Sequence, residues 1–145
     1  MSRRISIVLI DDNPAARQRV VSRLKAQPGF QVLAASAGTA TALYKVRKTR
    51  PDVVLLNLHR EGADSLTMAA ALHGGAPQSR LLIIGLGPRQ ANLSSFVRAG
   101  VVGFIMADAS FDRFLASVHS VAQGIPVLPP ELAHALFGQL RRVPV

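Results

Sequence analysis

The sequence predicts an α/β domain in which a parallel sheet is covered on both faces by helices. Three observations predict it. Five short apolar runs recur along the 145 residues: I-S-I-V-L-I at 5–10, F-Q-V-L-A-A at 30–35, D-V-V-L-L-N at 52–57, R-L-L-I-I at 80–84 and V-V-G-F-I-M at 101–106. Most are nearly continuous in Val, Ile and Leu rather than alternating with polar residues, which marks strands buried on both faces. Each is parted from the next by enough chain for a crossover helix, the connection that parallel strands require.

The elements follow in order. The first strand ends in Asp11-Asp12-Asn13-Pro14, where Asn13 can cap a helix and Pro14 suits its first turn. In that helix Ala16, Val20, Val21 and Leu24 form an apolar stripe, and Arg17, Arg19, Arg23 and Lys25 are expected to face out. Pro28-Gly29 stops it before a weaker strand, and Gly38-Thr39 opens a second helix that runs to Arg50. After the third strand, a loop over 58–62 leads into an Ala-rich helix ending at Gly74-Gly75. The fourth strand is closed by Gly85-Leu86-Gly87-Pro88, and a short helix around Leu93, Phe96 and Val97 ends at Ala99-Gly100. Beyond the fifth strand Ser110 caps a helix with Phe111, Phe114, Leu115, Val118 and Ala122 on one face. Pro129-Pro130 starts a last amphipathic segment carrying Leu132, Leu136 and Leu140. Right-handed crossovers wind such a chain into a flavodoxin-like open sheet of order 2-1-3-4-5. The first and third strands then flank the switch point, which brings Asp11, Asp12 and Asn57 together.

Length and composition narrow the functional classes. The chain suits one domain with a sizeable core. No run approaches the ~20 apolar residues of a membrane span, and the start is too short and too acidic at its end for a signal peptide. Without cysteine there is no disulfide framework and no thiolate metal site, so a cytoplasmic location is expected. The formal net charge is +9, and ten of the seventeen Lys and Arg fall within the first fifty residues. Such a balance can recruit nucleic acid, but no aromatic is interleaved with the charges, and solvated helix faces account for them.

Two adjacent carboxylates ending one strand, with an oxygen ligand from the next, make a hard-cation site of the kind Mg²⁺ uses. The segments V-L-I-D-D-N-P, P-D-V-V-L-L-N-L, A-G-V-V-G-F-I-M-A-D-A-S and G-I-P-V-L-P-P-E-L-A together resemble response-regulator receiver domains of the NarL/LuxR type, over nearly all the chain. The resemblance implies an Asp at position 57 that accepts a phosphoryl group held by Mg²⁺. It also implies a Thr or Ser ending the fourth strand, a Lys ending the fifth, and a mobile aromatic on the fifth. Here the acidic pair is Asp11 and Asp12 and the aromatic is Phe104, but the other three positions hold Asn57, Gly85 and Ala107. In the following loop a Met-Pro pair of the family aligns with Arg60-Glu61, and a Gly with Ser65.

Each departure has a chemical consequence. An amide cannot act as the carboxylate nucleophile that forms an acyl phosphate. Gly85 offers no hydroxyl and Ala107 no ammonium to a phosphoryl group. A degenerate, non-phosphorylatable receiver is therefore expected. Mg²⁺ is not required, and a residual site would use Asp11, Asp12, Asn57 and the His59 backbone. Arg60 is a candidate internal counter-ion for the two carboxylates. Gly85-Leu86-Gly87 resembles part of a dinucleotide fingerprint but follows the wrong strand and precedes Pro88.

The expected activity is that of a transcriptional regulator's receiver, not an enzyme, acting through a homodimer and contacts with other signalling proteins. Residues 1–125 would form the receiver. Residues 126–145 would lead to a DNA-binding effector domain that is absent here. The resemblance offers Phe96, Val97, Val101, Phe111 and Leu115 for dimerisation through the fourth helix, fifth strand and fifth helix, or else the first and fifth helices. The alternative is a pocket reused for a small ligand, with Gly85 and Gly87 permitting close approach. Direct nucleic-acid binding by the basic helices is a further option.

Overall fold

The structure, a computed structural model, describes residues 3–57, 63–87 and 92–141. Strands β1 (Ile5–Asp11), β2 (Phe30–Ser36), β3 (Val53–Asn57), β4 (Arg80–Leu86) and β5 (Val101–Met106) form one sheet of order β2-β1-β3-β4-β5. All four pairings are parallel. Helices α1 (Pro14–Lys25), α2 (Ala40–Thr49), α3 (Ala63–Gly75), α4 (Leu93–Arg98) and α5 (Phe111–Ala122) alternate with the strands, and α6 (Pro130–Arg141) follows. This is the flavodoxin-like arrangement that the sequence predicts.

The central strands are largely apolar because successive side chains enter two different cores. Val8, Ile10, Val54 and Leu56 pack with α2, α3, α4 and α6 on one face. Ile7, Leu9, Val53 and Leu55 pack with Val21 and Leu24 of α1 and Val118 and Val121 of α5 on the other. The helix starts are chemically marked. Asn13 Oδ1 accepts the Ala16 N–H at 3.0 Å and Ser110 Oγ the Arg113 N–H at 3.1 Å, each cap contributing about 1 kcal/mol. Thr39 precedes α2 without a side-chain cap bond.

Two expectations need correction. The fourth strand does not stop at residue 84; it continues to Leu86 through a register shift between Ile83 and Leu86. Gly85, at φ +78°, carries the chain through that irregularity, and Ala107 N–H donates to Leu86 C=O at 2.8 Å beyond it. A glycine that reads as a strand terminator in sequence is here a bulge within the strand. Second, Phe96 and Val101 are core residues, 6% and 3% exposed, and are unavailable to a partner. Val97 remains open at 38%.

The C-terminal segment belongs to the same core. Val127 pairs with Gly103 of β5, its carbonyl accepting the Phe104 N–H at 2.9 Å. Leu132 and Leu136 of α6 are buried with Leu93 and Phe96 of α4. Gln139 Oε1 accepts the Ser94 N–H at 3.0 Å, so α6 caps as well as covers α4.

Candidate functional site

The carboxyl edge of the sheet collects the residues singled out in the sequence. Asp11 and Asn57 are direct register partners on β1 and β3. Asp11 is fully buried, and its Oδ1 accepts the Asn13 N–H at 2.9 Å. Asp12 Oδ1 accepts the Gly38 N–H at 2.8 Å, so the second carboxylate is tied to the turn between β2 and α2. These bonds orient both acids through backbone donors.

Asn57 lies against Gly85. A Cβ at position 85 would sit 2.6 Å from Asn57 Oδ1 and 3.0 Å from its Cγ and Nδ2. The amide thus fills the space in which a side chain at 85 would begin, and the positive φ opposes one independently. Ala107, just past β5, is exposed to the crevice, whereas Phe104 is 2% exposed in the core shared with α4 and α6. His59 and Arg60 lie outside the described residues.

Arg17 departs from its expected outward position. It is half-buried, and its Nη1 donates to the Asp11 main-chain carbonyl at 2.7 Å. The guanidinium reaches back from α1 to the end of β1 and adds a cation to the acidic corner. Nothing in the helical spacing signals this, because the side chain's length rather than its angular position decides it.

For a divalent ion, among the described residues no three carboxylate, imidazole or thiolate groups converge on one point. One oxygen of each acid already accepts a backbone N–H, and the third position is an amide facing Gly85. Were Mg²⁺ to bind here it would have to stay largely hydrated, and Asp11 and Asp12 would be the charged groups available to hold it.

Beside Asn57 a cavity of about 210 Å³ opens between α1 and α5. At its edge the Arg23 guanidinium lies 4.1 Å above the Phe111 ring, which stacks on Phe114 with centroids 5.9 Å apart. Sequence reasoning placed Arg23 on a solvated face and gave it no part in the crevice.

Residues 7–119 match the response regulator receiver domain family. The transcriptional regulatory protein DegU of Brevibacillus brevis is 26% identical over 140 residues, covering 97% of this chain and 59% of DegU. The crystal structure of a LuxR-family two-component response regulator from Aurantimonas sp. SI85-9A1 superposes with a TM-score of 0.81 at 21% identity, over 96% of this chain and 99% of that one. The signal receiver domain of NarL from Mycobacterium tuberculosis gives 0.75 at 27% identity, over 85% and 99%. The chain spans 59% to 66% of the length of the first curated relatives it matches. Among the described residues no helix is long and apolar enough to cross a membrane.

Proposed function

Because the chain belongs to the response regulator receiver domain family, matched over residues 7–119, we propose that it is a receiver that signals without aspartyl phosphotransfer. The fit of the Asn57 amide against Gly85 carries this reading. An amide replaces the nucleophile, and Gly85, at positive φ and packed against that amide, supplies no hydroxyl. Ala107 adds only a methyl where an ammonium would neutralise the phosphoryl group. Three changes in one corner remove nucleophile, hydroxyl and cation together.

Output in this reading comes from protein contacts, through a homodimer and other signalling proteins, in the cytoplasm. DNA would be reached only through an effector domain; the DegU relative is named a transcriptional regulatory protein. Residues 1–125 act as the receiver and 126–145 lead towards that effector. Mg²⁺ is dispensable, and the two acids hold it weakly. With Phe96 and Val101 buried, an α4-centred dimer would rest on Val97 and on Phe137 and Leu140 of α6, which are 38%, 57% and 39% exposed.

Incubation with acetyl phosphate and Mg²⁺, followed by intact-mass measurement, tests the proposal. The expected result is an unchanged mass. A stoichiometric gain of ~80 Da, one phosphoryl group, would refute it.

A further inference from the structure

We propose that the corner beside Asn57 is a binding site for a small organic carboxylate with an apolar body. The inference rests on the non-phosphorylatable reading of the same corner. It lies at the carboxyl ends of β3, β4 and β5, next to the switch point between β1 and β3, where open α/β sheets place their ligands.

The lining selects the ligand class. Asn57, Gly85 and Ala107 contribute to the cavity at the strand ends. The position that the family fills with a long lysine carries only a methyl group, which leaves room. Ile84, Ile105 and Phe114 supply apolar wall, against which a bare hydrated anion would have to shed water without compensation. Arg19 and Arg23 of α1 bring two guanidinium groups, and the stacking of Arg23 on Phe111 restrains one of them. A guanidinium fork matches a carboxylate in bidentate geometry. No acidic side chain among the described residues lines the cavity, so a cationic ligand finds no counter-charge. The Asn57 amide offers both a donor and an acceptor to orient the ligand. At about 210 Å³ the space is below the roughly 300–1,000 Å³ of pockets for drug-sized molecules. One ring or a short chain suits it.

The test is a titration of the ¹⁵N-labelled full chain with benzoate and with butyrate, using benzyl alcohol and benzylamine as neutral and cationic counterparts. The expected result is saturable shifts of the Gly85 and Ala107 amides and of the Asn57 side-chain amide, with a Kd of about 1 mM or tighter for at least one carboxylate. Benzyl alcohol should bind about tenfold more weakly, and benzylamine should leave these signals unmoved. Arg23→Gln should weaken carboxylate binding about tenfold. Ala107→Met, at an exposed position, should fill the cavity and abolish binding while the remaining amide spectrum keeps its dispersion. The proposal falls if neither carboxylate gives saturable shifts by about 20 mM. It also falls if benzylamine binds equally well, or if both variants leave binding intact. Phosphorylation by acetyl phosphate alongside intact carboxylate binding would overturn only the phosphotransfer reading. An unchanged mass with no carboxylate binding would overturn only this one.

Discussion

Asn57 and Gly85 are packed against each other, so that with the Asn57 side chain placed as it is a Cβ at 85 would meet its Oδ1 at 2.6 Å. Gly85→Ala should destabilise the fold by about 1–3 kcal/mol, through positive φ and the clash with the amide. In an Asn57→Ala background only the φ strain remains, so a double-mutant cycle in urea should show a coupling of about 0.5 kcal/mol or more. Additive values would mean the contact is slack. Asn57→Asp sets a third carboxylate beside Asp11, and Mg²⁺ should then raise Tm more than in the parent chain. At the opposite edge of the sheet, Asp52 accepts from Arg3 Nη2 at 2.8 Å and from the Ser6 N–H at 2.9 Å, while its own N–H donates to Ser6 Oγ at 2.9 Å. Burial pushes its carboxyl up, but the Ser6 and Arg3 hydrogen bonds and the Arg3 charge outweigh burial and hold it below the ordinary range. A depressed folded-state pKa stabilises above the unfolded value and is lost as pH falls through the folded one. Asp52→Asn should therefore be less stable than the parent at pH 7, with the difference shrinking below about pH 4 in pH-dependent urea unfolding.

At the scale of elements, α6 shares a core with the receiver through Leu132 and Leu136. Leu132 is fully buried, so Leu132→Ala should cost about 2–5 kcal/mol by urea unfolding, as for other buried leucines. A loss under about 1 kcal/mol would mean that α6 detaches readily in solution. Gly103 is part of the same arrangement. A Cβ there would lie 2.6 Å from Leu82 Cδ1 and 3.0 Å from Val121 Cγ2, so the bare backbone lets α5 and the Val127 segment close on β5. The α5 C-terminus is held from the sheet as well, by Arg80 Nη1 donating to the Ala122 carbonyl at 3.2 Å. The basic side chain that sequence alone assigns to the edge of a strand therefore satisfies a helix end.

Across the whole molecule, the two faces of one sheet carry two cores joined through the same strands. Unfolding should be a single cooperative transition that includes α6, so fluorescence-independent probes such as far-UV circular dichroism and amide exchange should report one midpoint. Separate midpoints for α6 and the sheet would contradict the shared core. The charge of +9 is carried largely by exposed side chains, with Arg19, Arg23, Lys25, Arg47, Lys48 and Arg50 all exposed. Any nucleic-acid affinity from these faces would be sequence-independent and steeply salt-sensitive, and a gel shift across a salt series would expose it.

The sequence by itself determined the order of the strands and helices, the caps at Asn13 and Ser110, and the meeting of Asp11 with Asn57. These follow from short-range chemistry: apolar runs, capping side chains, and the handedness of crossovers. It also supplied the identities Asn57, Gly85 and Ala107, to which the family resemblance gives the places of acceptor, hydroxyl and ammonium. Only the tertiary structure decided what those residues touch. The amide of Asn57 against Gly85, the reach of Arg17 to the Asp11 carbonyl, the Arg23–Phe111 stack and the seating of α6 on α4 join residues far apart in the chain or depend on side-chain length. No periodicity encodes them. Burial of Phe96 and Val101 was likewise settled by what α6 and the sheet cover, because an apolar side chain suits an interface and a core equally well until its neighbours are placed.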